Sequence, residues 1–111
     1  MELPVVNHPD YVAKINDDNK FPIRKFGALA EHLLNFDVVK KFYIPQECST
    51  ETMKTSHSLE YINHIRNKTL DIKLQKKIGF PINDSVVRRS FVATGGTVLA
   101  SKLALDAKLA C

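Results

Sequence analysis

Residues 83–105 read NDSVVRRSFVATGGTVLASKLAL. Asn83, Asp84 and Ser85 favour a helix start, because their side chains accept hydrogen bonds from the free N–H groups of a first turn. Gly95 and Gly96 fall inside the predicted helix, and each costs roughly 1 kcal/mol relative to alanine. We therefore expect either close approach of another backbone element at these glycines or a kink. The apolar positions that define the helix are Val87, Phe91, Val98, Leu99 and Leu103.

Upstream of this segment the sequence predicts three further helices. Pro22 can occupy a first turn, and apolar residues recur after it at helical spacing. Ser49 and Ser58 are N-cap candidates for two short helices on either side of His57. Residues 79–81, Gly-Phe-Pro, predict a loop. The apolar positions of the first of these helices are Phe26, Leu29, Ala30, Leu33 and Leu34.

Two short runs favour extended structure. Residues 3–6, Leu-Pro-Val-Val, are followed by turn-forming residues, and residues 41–44, Lys-Phe-Tyr-Ile, precede Pro45. Together with the helices they predict an α/β fold, mostly helical with one or two short parallel strands.

Composition is that of one soluble domain of 111 residues, with 44% hydrophobic and 25% charged residues. The sequence shows neither a long apolar run nor a basic leader, so we expect a cytoplasmic protein. Cys48 and Cys111 are too few for a disulfide framework, and both are expected to be thiols. So short a chain buries only a modest fraction of its surface on folding, and we therefore expect it to need a partner.

The net charge of +4 is uneven. Residues 1–55 carry seven Lys/Arg and eight Asp/Glu, whereas residues 56–111 carry nine and four. Nucleic-acid surfaces interleave such cations with aromatic rings, and no aromatic residue lies between Tyr61 and Phe80. We interpret the basic region as a solvated face.

No catalytic site follows from residue spacing alone. The four histidines and two cysteines show no zinc-finger or zincin spacing. His57 is expected to be partly buried and to hold a loop, and His64 to lie on the surface. Thr94–Thr97, Thr-Gly-Gly-Thr, matches neither phosphate-binding glycine motif, and no nucleophile signature is present.

Several segments, taken together, resemble the amino-terminal part of the histone deacetylase superfamily, particularly its bacterial members and the class IV branch. The match extends over nearly the whole chain, and its last segment is the most characteristic. The segments are Asn7–Tyr11, Asn19–Phe26, His57–Ile62, Gly79–Pro81, and Arg89 followed by Thr94–Thr97 and the Ala/Leu-rich residues to Leu105.

The resemblance implies an amino-terminal fragment of a three-layer arginase/deacetylase-type fold, residues 1–111 forming a partial domain that ends before the catalytic motifs. In that family a zinc ion polarises an amide carbonyl and activates water, and acyl groups are removed from lysine or related amines. The positions that hold zinc and catalyse the reaction lie beyond those matched here. We therefore expect no catalytic or metal-binding residue in this chain and no hydrolysis by it alone.

The matching residues are expected to act as a scaffold. Phe21, Pro22 and Lys25 would shape the loop and helix beside the substrate pocket, and His57 and Tyr61 would fix the packing of the helices after them. Gly95 and Gly96 would let a helix lie closely on the sheet.

Three functions remain open. The chain is part of a deacetylase completed by a carboxy-terminal part, or a non-enzymatic interaction module that is derived from that fold and binds a partner or itself, or a nucleic-acid-associated protein. The last is the least favoured.

Overall fold

The computed structural model describes residues 2–111, in which helices account for most of the regular structure. A 3₁₀ turn, Pro9–Tyr11, precedes five α-helices. The helices are α1 (Lys25–Asn35), α2 (Thr50–Met53), α3 (Leu59–Arg66), α4 (Ile72–Ile78) and α5 (Asp84–Ala107).

Side-chain caps begin four of the five helices. Ser49 caps α2, and the Ser58 hydroxyl accepts the N–H of Tyr61 at 3.1 Å at the start of α3. The Asn83 side chain accepts the N–H of Val86 at 2.9 Å at the start of α5. These three caps were predicted. Asp71, which caps α4, was not, although it and Gly79, in the left-handed region at φ 83°, are recognisable start and stop signals.

Helix α5 joins two hydrophobic clusters and continues without a break through Gly95 and Gly96. One cluster contains Phe91, and the other contains Val86. Phe91 packs with Cys48, Met53 and Ile62, whereas Val86 packs with Ala13 and Ile23. The first cluster joins α5 to α2 and α3, and the second joins it to the amino-terminal loop.

The expected α/β fold of arginase/deacetylase type is wrong for this chain. Helices make up 52% of it and strand 2%, and no sheet forms within residues 2–111. Of the two predicted strands, a single parallel bridge between Val6 and Tyr43 is present. Proline explains the short pairing: Pro9 begins the 3₁₀ turn, and Pro45, which has no N–H, follows the second run directly.

The molecule is thin for its mass. Its extents are 46 × 34 × 17 Å, and its radius of gyration is 15.4 Å, against about 13 Å for a compact chain of this length. Its accessible surface is 7946 Å², about 1,800 Å² above the roughly 6,200 Å² typical of this mass. The described residues therefore leave unusually much surface exposed.

Across residues 2–111, no helix combines the length and the apolarity that crossing a membrane requires.

Candidate functional site

A groove of about 800 Å³ runs between α1, α5 and the amino-terminal segment. Most of its lining is apolar or small, and Leu29 and Val38 at its edge are 58% and 64% exposed. Helix α1 contributes Phe26, Leu29, Ala30 and Leu33; α5 contributes Arg89, Ala93, Gly96, Thr97, Ala100, Ser101 and Ala104; and the remaining walls include Leu3, Val5, Val6, Tyr11, Val38, Val39, Phe42, Ala110 and Cys111.

Arg89 is the charged residue of this lining. Its Nε donates a hydrogen bond of 2.7 Å to the carbonyl of Tyr11. Its guanidinium carbon lies 4.8 Å from the ring centre of Phe26 and 5.6 Å from that of Phe21. Partial burial lowers the pKa of Arg89, although an arginine remains charged at neutral pH. The side chain thus joins α5, the 3₁₀ turn and the start of α1 through one carbonyl and two aromatic faces.

Tyr11 lies at the centre of the same cluster. Its ring meets that of Phe26 edge to face, with 6.4 Å between centroids. An ideal Cβ built on Gly96 would lie 1.9 Å from the Tyr11 hydroxyl oxygen, so the phenol occupies the space that a side chain at position 96 would need. Burial raises the pKa of Tyr11 above 10.0, and the nearby charge of Arg89 opposes that rise.

Gly95 faces another part of the backbone. A Cβ at this position would lie 1.9 Å from the carbonyl oxygen of Gln46 and 3.0 Å from the N–H nitrogen of Cys48. The same segment donates the Cys48 N–H to the Phe91 carbonyl at 2.9 Å. The predicted close approach of backbone is therefore confirmed at Gly95, but the element is a loop and not a sheet. At Gly96 a side chain takes that place.

Phe21 and Lys25 lie beside the Arg89 cluster. The Phe21 ring stacks on Phe26 at 6.0 Å and meets Phe80 edge to face at 5.3 Å. Lys25 Nζ lies 4.8 Å from the Phe21 ring centre. Pro22 is exposed, and its carbonyl accepts the N–H of Lys25 at 3.0 Å. The structure thus brings three of the predicted scaffold residues together at the start of α1.

His57 and Tyr61 form a separate pair, with 5.6 Å between ring centroids. Both are exposed, so the expectation that His57 is partly buried is wrong. It lies in the exposed turn before α3, where its backbone N–H bonds to Met53. Tyr61 and Arg89 both line a second cavity of about 240 Å³, which is mainly apolar.

Sequence reasoning did not single out Tyr11, Arg89 or Leu29 as site residues. Tyr11 and Arg89 are 78 positions apart, and no local pattern joins them. A signal for the groove was nevertheless present on α5. Small residues recur there at spacings of three and four, which places them on one helix face. They are Ala93, Gly96, Thr97, Ala100 and Ala104.

The described residues do not fit a zinc site. Among residues 2–111, no group of three or more His, Cys, Asp or Glu side chains could hold a metal ion. His8 bonds to the N–H of Asp10 at 2.9 Å, and His64 to the Thr69 hydroxyl at 2.8 Å. A zinc ion of the kind that the family resemblance implies would need ligands from another polypeptide segment.

Comparison with known proteins gives one informative relative and no family assignment. No protein-family model matches the chain. An uncharacterized protein of Picosynechococcus sp. is 39% identical over 113 residues, a match that covers 100% of this chain and 38% of the relative. The chain therefore spans well under half the length of that relative, and most of the relative has no counterpart here.

Proposed function

We propose that this chain is one part of a larger protein and that the groove is the surface on which the remaining part packs. The observation that carries this proposal is the exposed apolar groove on a molecule only 17 Å thick. Exposed apolar surface of this extent is typical of interfaces. The excess of about 1,800 Å² is roughly twice what one partner contributes to an interface of standard size.

We further propose that the complete protein is a zinc-dependent deacylase acting on acyl-lysine or a related amine. Support comes from the family resemblance, because three of its separated segments meet at Arg89. Arg89 belongs to the last segment, and it contacts Tyr11 of Asn7–Tyr11 and Phe21 and Phe26 of Asn19–Phe26. In this proposal, zinc and the catalytic groups belong to the complementary part. The present residues hold one wall of the assembly in place and catalyse nothing alone.

A chimera tests the proposal. In the full-length Picosynechococcus relative, the matching segment is replaced by this chain, and turnover of an acetyl-lysine peptide is measured together with bound zinc. We expect zinc binding and turnover by both the relative and the chimera, loss of turnover with a chelator, and none by this chain alone. The deacylase assignment would be overturned if the relative and the chimera both lacked zinc and neither turned over any acyl-lysine peptide.

A second candidate, a non-enzymatic interaction module, is favoured by the same exposed groove. It predicts a stable, folded chimera with no hydrolytic activity. A nucleic-acid role is disfavoured because cations of the basic half already interact within the chain. Arg66 lies 4.5 Å from the Phe91 ring centre, Lys68 pairs with Asp84, and Arg88 bonds to Asp10 and Glu47.

The cytoplasm is the compartment that we propose. Cys48 and Cys111 are both free, which fits a reducing environment.

A further inference from the structure

The second cavity, of about 240 Å³, is lined by residues of both hydrophobic clusters. Val87 packs against the first cluster, whereas Ile23 and Ile82 belong to the second. Tyr61 of α3 and Ile78 of α4 are each 37% exposed, so the cavity opens between these two helices. Protein interiors seldom leave voids much larger than a water molecule. A cavity of this volume therefore has room for a ligand.

Arg89 is the charged residue of this cavity's wall, and most of its hydrogen-bonding capacity is unused. A guanidinium carries five N–H groups. The Nε–H donates to the Tyr11 carbonyl, and within residues 2–111 the four terminal N–H groups have neither a hydrogen-bond partner nor a carboxylate beside them. No fully enclosed polar side-chain atom of these residues lacks a partner, so the terminal nitrogens of Arg89 stay accessible.

The surroundings of Arg89 favour a carboxylate as the missing partner. The rings of Phe21 and Phe26 lie 5.6 and 4.8 Å from the guanidinium carbon and stabilise the cation through their faces. These contacts leave the edge of the guanidinium that carries the terminal nitrogens. A carboxylate matches that edge, because its two oxygens accept two parallel N–H bonds. The neighbouring Ser90 hydroxyl is already used, since it donates to the Val86 carbonyl at 2.8 Å.

The volume and the lining restrict the rest of the ligand. A cavity of about 150 Å³ holds benzene, so at the same proportion a cavity of about 240 Å³ holds about ten non-hydrogen atoms. A phosphate or a sugar would place polar groups against a mainly apolar wall. A hydrocarbon would leave the N–H groups of Arg89 without an acceptor.

We propose that this cavity binds a small organic acid, a carboxylate on an aromatic or branched aliphatic body with about ten non-hydrogen atoms in all. The carboxylate pairs with Arg89, and the body lies against Ile65, Ile82 and Val87. The described residues of this chain form the whole site, so the inference does not rest on the proposed function. Its tests use this chain alone, and turnover by the chimera has no bearing on them.

A titration with two ligands of equal size tests the chemical class. Phenylacetate and its neutral isostere phenylacetamide are added to the ¹⁵N-labelled chain, and the Arg89 Nε–H signal is followed by NMR. We expect saturable binding of phenylacetate, roughly tenfold or more tighter than that of phenylacetamide, because hydrogen bonds between charged groups are the stronger ones. Equal affinities overturn the carboxylate assignment. Absence of saturable binding by both phenylacetate and 4-methylpentanoate overturns the site.

Nuclear Overhauser effects locate the ligand in the unaltered chain. We expect contacts between the ring protons of phenylacetate and the methyl groups of Ile65, Ile82 and Val87, which line the cavity. Arg89 also lines the groove, so the groove is the alternative position for the acid. Contacts with Leu29 or Leu33 in place of the cavity residues overturn the assignment to this cavity.

Filling the cavity gives an independent test. Val87→Phe adds a ring to the cavity wall, whereas Leu74→Phe adds one on α4 outside both the cavity and the groove, at a position that is 45% exposed. Circular dichroism checks that each variant keeps its helices. We expect Val87→Phe to weaken phenylacetate binding roughly tenfold and Leu74→Phe to leave it nearly unchanged. Equal effects of the two substitutions in folded proteins overturn the cavity as the binding site.

Arg89→Gln tests the partner of the carboxylate. This variant keeps hydrogen-bonding capacity and removes the charge, so we expect phenylacetate and phenylacetamide to bind it about equally. A folded Arg89→Gln variant that still prefers phenylacetate tenfold overturns the role of Arg89.

Discussion

Gly96 and Tyr11 compete for one small volume, which makes a specific rescue experiment possible. Gly96→Ala places a Cβ against the Tyr11 hydroxyl, and we expect the free energy of unfolding to fall by about 1–3 kcal/mol, as in other overpacked sites. Tyr11→Phe removes that oxygen and leaves the ring carbon at 3.2 Å as the nearest atom of Tyr11. The double variant should therefore regain most of the loss, measured by urea denaturation.

Gly95→Ala is the matched control for this rescue. Its Cβ would meet the backbone of Gln46, which no side-chain substitution removes. We expect a loss at least as large as that of Gly96→Ala and no recovery when Tyr11→Phe is added. Recovery of both alanine variants to the same degree would show that Tyr11→Phe stabilises the fold generally and that the contact at Gly96 is not specific.

Tyr11 also predicts a pH dependence of stability. Burial raises its pKa above 10.0 in the folded protein, so the folded state keeps the phenol proton at a pH where the unfolded chain has lost it. The contribution of the protonated Tyr11 phenol to stability is complete below pH 10. The free energy of unfolding falls as pH rises from about 10 through the pKa of Tyr11 in the folded protein. Denaturation at a series of alkaline pH values measures this slope. Tyr11→Phe should reduce it, whereas Tyr43→Phe, at an exposed position, should not.

At the scale of elements, Asn83 is expected to contribute more to stability than Ser58. Both side chains cap a helix, but Asn83 also donates its amide to the carbonyl of Lys14 at 2.9 Å, which ties α5 to the amino-terminal loop. Ser58→Ala should lower the free energy of unfolding by about 1 kcal/mol, and Asn83→Ala by about 2 kcal/mol. Thermal and urea denaturation check the order. A larger loss for Ser58→Ala would contradict it.

Four of the five helices were predicted from sequence because their signals are local, whereas α4 was missed. Ser58 and Asn83 lie next to the turns that they cap, and the apolar spacing after Pro22 is contained within α1 itself. The prediction of strands was wrong for the opposite reason. An extended run becomes a strand only by pairing with segments that are distant in sequence. Residues 3–6 and 41–44 meet at one bridge, and prolines limit its extension.

The candidate site was less predictable than the helices. Phe21, Pro22 and Lys25 are close in sequence and are also close in space. A joint role at the start of α1 could therefore be predicted from the sequence. The contact between Arg89 and Tyr11 depends on how α5 crosses the 3₁₀ turn, 78 residues away. His57 and Tyr61 are likewise local, but local sequence did not reveal that both rings are exposed.

At the scale of the whole molecule, the distribution of apolar residues explains the thin shape. Helix α5 buries one face against α2, α3 and the amino-terminal loop. Val92 of this helix is fully buried. Its small-residue face meets α1 and the amino-terminal segment across the groove without closing it. In the larger protein that we propose, another layer covers this second face.

The open groove predicts that this chain alone binds apolar dyes at neutral pH. We expect 8-anilinonaphthalene-1-sulfonate fluorescence to rise with the folded chain, because Leu29 and its neighbours offer an exposed apolar surface. Leu29→Asp should at least halve the signal, and Leu74→Asp should leave most of it. Circular dichroism confirms that each variant retains its helices. In the chimera, where the complementary part is expected to fill the groove, the signal should be much weaker; an equally strong signal there would mean that the groove stays open in the complete protein.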